Sequence, residues 1–222
     1  TLLGWRESML FSTLLSLGAL LLLLPLPDVR PARVRAGAER AEFPLRAVLS
    51  VGGPALIAAN VVAFLIFFNR NGFVVTFAPL FGGTVLAFEP DQIGLGVAIY
   101  NVVSLAAVLV SGPVMDRIGK HATVTPALIA TAIGDLLFLF ATGFPGYALG
   151  LSVIALNASA NGVAPALIGD LVPGPLRPIA AAMYRFSADL AILIAPLFIG
   201  VLFDRLGATA AILAAAAVAV LA

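Results

Sequence analysis

The sequence contains no cysteine, a single histidine and few charged residues. Without cysteine the chain can form no disulfide, no thiolate metal site and no cysteine nucleophile, and His121 alone cannot build a metal centre. Charged residues are only 10% of the 222 residues, against about 25% in an ordinary soluble domain. That is too little charge to cover the surface of a soluble fold, so the composition excludes one.

Hydrophobic residues take the place of the missing charges, at 62% of the chain, and the mean hydropathy is +1.13. The apolar runs do not alternate with polar residues, as the strands of a membrane barrel would. We therefore predict an all-α fold, a polytopic membrane helical bundle whose surroundings are the lipid bilayer. The net charge is +1 and no dense basic patch occurs, so we expect no nucleic-acid partner.

Seven apolar segments are candidates for crossing the bilayer, which takes roughly 20 residues per helix. The polar run Asn69-Arg70-Asn71-Gly72 interrupts the second of them. Cytoplasmic loops of membrane proteins carry an excess of Lys and Arg. If the segment is one span, most of the basic residues lie on one membrane face; if it is two spans, they are divided between both faces. We predict a single span there. The seven segments are residues 8–27, 51–80, 93–114, 123–143, 147–171, 179–203 and 208–222.

One short pattern occurs twice. The eight residues GPVMDRIG that begin at Gly112 return as GVLFDRLG from Gly200, 88 residues later. Three predicted helices separate the copies, which places them on opposite membrane faces, as in the inverted repeats of transporters. The final glycine of each copy allows close helix packing or a turn at positive φ. The alternative is a chance coincidence of residues common at helix ends.

This pattern resembles the loop motif of the major facilitator superfamily, G-x-x-x-D-R-x-G followed by two basic residues, which recurs after the second and eighth helices of that family. His121 stands at the last basic position, where this sequence departs from the motif. Similar runs include Gly4-Trp5-Arg6, Asp170-Leu-Val-Pro173, Tyr184-Arg185 and Ala195-Pro-Leu-Phe-Ile-Gly200. The motif residues that match are Gly112, Asp116, Arg117, Gly119 and Lys120.

The resemblance implies a domain organisation. Residues 1–27 would be the last transmembrane helix of an N-terminal bundle, 28–47 a cytoplasmic linker, and 48–222 the six-helix C-terminal bundle, truncated at its end. The apolar runs at both ends predict that the chain is a piece of a longer protein whose N-terminal bundle lies outside this sequence. The multi-pass protein would lie in the cell (inner) membrane.

The resemblance also implies a mechanism. Two bundles rock about a central site and expose substrate to each side in turn, and the loop-motif residues serve as a conformational latch rather than touching substrate. The cavity would be lined by four segments, 51–80, 93–114, 147–171 and 179–203.

Polar residues inside the apolar segments mark candidate substrate positions, because they are costly in lipid. Their spacing places the side chains in pairs on single helix faces, and Arg70 is an isolated charge. Hydrogen bonding between helices is the alternative for the Asn and Ser residues. Arg70 could instead pair with an acid of the absent bundle or extend to the membrane surface. The predicted substrate-cavity residues are Asn60, Arg70, Asn71, Asn101, Ser104, Asn157 and Asn161.

Two acidic residues within the apolar segments are candidates for proton coupling. Arg185 and Asp189, four residues apart, are predicted to pair on one helix, either as a proton-coupling site or as a purely structural ion pair. Asp135 is a further candidate, on a helix that the resemblance places at the bundle periphery.

The sequence shows no catalytic constellation and no phosphate-binding G-x-x-x-x-G-K-[ST] loop, so we predict no enzymatic activity, no ATP hydrolysis and no cofactor. We predict a proton-coupled secondary transporter of small organic molecules, an antiporter for efflux of amphiphilic or drug-like compounds. The alternative is a seven-helix membrane receptor, suggested by the helix count alone. A retinal protein would need a lysine within a helix, and the single lysine, Lys120, lies in a predicted loop.

Overall fold

A computed structural model of the chain describes residues 5–23, 45–119 and 121–221. The chain divides by internal contacts at residue 43, and each part is considered by itself. The first contains helix α1 (Trp5–Leu23), whose apolar part, Met9–Ala19, is shorter than a full membrane span. Most of the predicted linker and Lys120 lie outside the described residues.

The second part is helical throughout its regular segments, and its described residues contain no strand. Two of its spans change helix type in their interior, and one ends in a short 3₁₀ helix. Its elements are α2 (Leu45–Asn69), a π-helix (Arg70–Phe77), α3 (Ala78–Thr84), α4 (Pro90–Ile118), α5 (His121–Leu137) with a 3₁₀ helix (Phe138–Phe140), α6 (Phe144–Ala155), a 3₁₀ helix (Leu156–Ala160), α7 (Val163–Leu171), a 3₁₀ helix (Gly174–Leu176) and α8 (Arg177–Leu221).

Five stretches in the described residues are long and apolar enough to cross a membrane. This confirms the predicted membrane helical bundle. Arg46–Thr84 runs without a loop through Arg70, so the prediction of one span rather than two is also confirmed. The other four stretches are Pro90–Arg117, Thr123–Phe140, Phe144–Leu171 and Gly174–Leu221.

The last stretch contains two predicted spans. At 48 residues, a straight α-helix would be about 72 Å long, more than twice the roughly 30 Å hydrocarbon core. The helical backbone is broken at Gly207, where φ is 84° and ψ is 175°. The segments before and after this break correspond to the predicted spans 179–203 and 208–222.

The two copies of the repeated motif end on the same unusual backbone conformation. Gly119, where α4 ends, has φ 97° and ψ 165°, close to the values at Gly207. Positive φ of this kind strains any residue with a Cβ atom, so glycine is required at both places. Of the two roles considered for these glycines, the turn at positive φ is the one that the structure confirms, and the matching geometry favours a true repeat over coincidence. Asp116 and Arg117 are exposed, as are Asp204 and Arg205 in the second copy.

An aromatic cluster that includes residues of the π-helix holds three of the spans together. Phe138 lies at its centre, with its ring 4.9 Å from that of Phe73 and 5.5 Å from that of Tyr147, both edge-on. Helices α5 and α6 approach so closely that a Cβ on Gly134 would lie 2.8 Å from the backbone nitrogen of Ile154. Such small-residue contacts are typical of membrane helix packing, where no hydrophobic effect drives helices together. The cluster therefore packs the π-helix against the end of α5 and against α6.

Candidate functional site

Two irregular helical segments lie in the middle of neighbouring spans. The π-helix begins at Arg70, and the 3₁₀ helix Leu156–Ala160 separates α6 from α7 and leads into a turn at Asn161 and Gly162. Irregular backbone at membrane depth is tolerated where it is buried in protein or lines a cavity. Stretches of π-helix within α-helices are rare, and they occur frequently at functional sites. Both segments border the same pocket.

The pocket has a volume of about 150 Å³ and lies between α2, α4 and the 3₁₀ helix Leu156–Ala160. Five of the seven predicted cavity residues line it, although the sequence places them on three different helices. Apolar and aromatic side chains complete the wall. The polar lining residues are Arg70, Asn101, Ser104, Asn157 and Asn161, and the others are Ile66, Tyr100, Leu105, Val108 and Ala158.

The pocket lies at mid-depth in the membrane-spanning stretches. Arg70, Asn101 and Asn157 are each close to the midpoint of their own stretch. Substrate sites of secondary transporters are found near the bilayer midplane, where helices are interrupted. The depth and the interrupted helices agree with such a site.

Several polar groups of the pocket have no partner within the described part of the chain. Ser104 Oγ and Asn157 Oδ1 are buried without a hydrogen bond. A buried polar atom left in this state costs about 1–3 kcal/mol. The Arg70 side chain is exposed and makes no hydrogen bond or ion pair with another described residue. These groups are therefore available to a ligand.

Asn60 and Asn71 are the two predicted cavity residues that do not line the pocket. Asn60 Oδ1 accepts a hydrogen bond of 3.3 Å from Ser187 Oγ, which joins α2 to α8. Asn71 Nδ2 donates to the Phe67 carbonyl, one turn earlier in the same span, at 2.8 Å. Asn60 thus makes the interhelical contact that was the alternative to a cavity position.

Arg185 and Asp189 form the predicted ion pair. Arg185 Nη2 lies 3.0 Å from Asp189 Oδ1, and Arg185 Nε donates to Oδ2 at 3.0 Å. The side chains are 71% and 51% exposed, and neither borders the pocket. Both carboxylate oxygens of Asp189 are therefore occupied by one cation.

Sequence reasoning missed the partner of Asp135. Asn69 Nδ2 donates to Asp135 Oδ2 at 2.6 Å, and the two residues are only 2% and 0% exposed. The helix was expected at the periphery, yet its carboxylate faces the bundle interior. The sequence did contain one signal for this contact, namely an acidic residue within an apolar helix. Such residues almost always face the bundle interior and pair with a polar group. Asn69 belongs to the polar run at residues 69–72, which was considered only as a possible interruption of the second span.

A larger groove of about 840 Å³ lies elsewhere in the bundle, between α2, α5, α7 and the end of α8. Its lining is aliphatic apart from Thr125. Ligand sites generally need a few placed polar groups to orient the ligand. The small polar pocket is therefore the better candidate.

Comparison with known proteins gives two findings. The family model described as Major Facilitator Superfamily matches residues 59–222, most of the chain. The Tetracycline resistance protein, class C, of Escherichia coli is 29% identical over 111 residues. That match covers 47% of this chain and only 28% of the length of that protein.

Proposed function

The chain belongs to the major facilitator superfamily, and from this premise we propose that it moves small organic molecules across a membrane by alternating access. The observation that carries the proposal is the mid-membrane pocket, where five polar residues of three spans meet beside two interrupted helices. The family assignment favours a secondary transporter over a seven-helix receptor.

Efflux of amphiphilic or drug-like compounds is the proposed direction and substrate class. The similar Escherichia coli protein is named for tetracycline resistance, which supports export. The pocket combines amides, a hydroxyl and one cation with aliphatic side chains, a lining suited to a molecule with both polar and apolar parts.

The proposed setting is the cell (inner) membrane, with residues 28–47 in the cytoplasm, because that orientation collects the basic residues on the cytoplasmic face. An N-terminal bundle would supply the other wall of the cavity. The loop motif around Asp116 and Arg117 would then act between the bundles, and Lys120 would extend its basic end.

Coupling to protons would provide the driving force for antiport. Two carboxylates within the spans could carry the proton, Asp189 and Asp135. Asp189 has a cationic partner, whereas the hydrogen-bond partner of Asp135 is a neutral amide. The buried Asp135 is the better candidate, since intramembrane carboxylates of this kind form proton relays in transporters.

The test is transport by the full-length protein in proteoliposomes with an imposed proton gradient. Tetracycline and a fluorescent amphiphilic organic acid serve as substrates, and we expect saturable, gradient-dependent movement of at least one. Asn157→Ala should weaken it. Ser159→Ala is the matched control, because Ser159 lies on the same 3₁₀ helix, bonds to the Leu156 carbonyl and does not line the pocket.

Two outcomes would count against the proposal. One is a folded full-length protein that moves neither compound under any gradient. The other is an equal effect of the two variants, which would show that transport does not depend on this pocket.

A further inference from the structure

The strongest unexplained feature of the pocket is the charge of Arg70. A guanidinium near the middle of a span lies about 15 Å from either edge of the hydrocarbon core, farther than its side chain extends. Reaching the membrane surface therefore does not account for it. An ionised side chain at this depth requires a counter-charge or a hydrated cavity.

The acids of the described bundle do not supply that counter-charge. Asp135 is bonded to Asn69, and Asp189 is held by Arg185 through both oxygens. The other described carboxylates lie near helix ends rather than at mid-span: Glu89, Asp91, Asp116, Asp170 and Asp204.

The neighbours of Arg70 are mainly neutral groups that can donate hydrogen bonds. Ser104 has a buried hydroxyl without a partner, and Asn101 and Asn161 line the same pocket with their amides. Guanidinium, hydroxyl and amide groups together form the kind of donor set that recognises a carboxylate or sulfonate. Asn157 contributes an unpartnered amide oxygen, which suits a hydroxyl or amide next to the anionic group.

The size of the pocket limits what it can hold. Its 150 Å³ is below the roughly 300–1,000 Å³ of sites that enclose a whole drug-sized ligand. It is large enough for one polar head group, while the rest of the ligand extends past Ile66, Leu105 and Val108.

We propose, on the basis of the transport function above, that this pocket binds the single anionic group of an amphiphilic organic anion. Arg70 provides the charge, and Ser104 with the Asn side chains provides directional hydrogen bonds. The substrate class is thus narrowed to molecules with one carboxylate, sulfonate or enolate on an apolar body.

A matched pair of fluorescent probes tests this proposal. 8-Anilinonaphthalene-1-sulfonate and N-phenyl-1-naphthylamine share the same aromatic body and differ in the sulfonate. Saturable binding of each is measured on the full-length protein in lipid nanodiscs, with empty nanodiscs subtracted. The variants are Arg70→Gln, Arg70→Lys and, as a control, Arg205→Gln, an exposed arginine outside the pocket.

We expect Arg70→Gln to raise the Kd of the sulfonate by about tenfold or more, the usual scale for a lost charge-assisted contact. The Kd of the neutral probe should change by less than about twofold, because Arg70 would contact the sulfonate and not the aromatic body that the two probes share. Arg70→Lys should retain part of the sulfonate affinity, and Arg205→Gln should match the unmodified protein.

Three results would overturn the proposal. Equal weakening of both probes would mean that Arg70 shapes the pocket or pairs with a carboxylate outside the described residues, and Arg70→Lys would then restore both. An unchanged sulfonate Kd in Arg70→Gln would place the anion elsewhere. Absence of saturable sulfonate binding to the unmodified protein would also refute it. The binding measurement needs no ion gradient. A failure of this proposal can therefore be distinguished from a failure of the proposed transport function.

Discussion

Asn69 Nδ2 donates a 2.6 Å hydrogen bond to Asp135 Oδ2, linking two residues that lie 66 positions apart in the chain. The same nitrogen lies 3.3 Å from the carbonyl of Ala215, so one amide joins α2, α5 and the end of α8. The amide oxygen of Asn69 and the second carboxylate oxygen of Asp135 are buried without a partner. This polar contact therefore connects three spans in a bundle held mainly by apolar packing.

Removing both members of this pair should destabilise the bundle by less than the sum of the two single losses. Asn69→Leu or Asp135→Leu leaves a buried polar group unsatisfied, at about 1–3 kcal/mol each. The loss in the double variant should fall short of that sum by a coupling of about 0.6–1.7 kcal/mol, the average and the maximum found for such pairs within membranes. Unfolding of the four proteins in detergent provides the measurement. Strictly additive losses would show that the two side chains do not interact.

The proposed proton coupling distinguishes the two intramembrane acids. Asp135→Asn keeps an oxygen to accept from Asn69 but removes the ionisable group, so gradient-driven transport should fall by about tenfold or more. Asp189→Asn should change it by about twofold at most, because Arg185 holds both Asp189 oxygens and favours the ionised carboxylate, which then carries no proton. Transport in proteoliposomes with and without a pH gradient measures both. The reverse ranking would identify Asp189 as the coupling carboxylate.

The break in α8 should depend on glycine at one position of the repeat and not at another. Gly207→Ala forces a Cβ onto positive φ and should cost about 1–3 kcal/mol of stability. Gly200→Ala is the matched control, because a Cβ there meets no atom within 4 Å and the helix should gain up to about 1 kcal/mol. Thermal unfolding in detergent compares the two. A similar loss in both variants would mean that the backbone at Gly207 is not the cause.

If the loop motif acts as a conformational latch, a substitution in it should slow transport without weakening substrate binding. Asp116 is exposed at the end of α4 and does not line the pocket. Asp116→Asn should therefore lower the transport rate by about tenfold while the substrate Kd stays within about twofold, as for an interaction outside the binding site. Equilibrium binding and transport are measured on the same preparation. A parallel loss of binding would exclude the latch role.

Much of the pocket was predictable, because the energetics of polar residues in lipid are read from composition and spacing. Asn101 with Ser104, and Asn157 with Asn161, stand out as polar pairs on otherwise apolar helices, and the structure places all four beside Arg70. Asn60 looked the same in the sequence and instead bonds to Ser187. Helical spacing gives the face on which a residue lies, but the neighbour of that face depends on how the helices are arranged.

Three features could be derived without the fold: the membrane bundle, the continuous span through Arg70 and the repeat that ends at Gly119 and Gly207. Each follows from local physics, namely the cost of polar groups in lipid and the steric limits on φ. Two other features emerge only from the packing of the helices: Asn69 contacts Asp135, and Arg70 shares a pocket with residues of α4 and the 3₁₀ helix Leu156–Ala160. Such contacts join distant parts of the chain, and they depend on close helix packing that no single segment specifies.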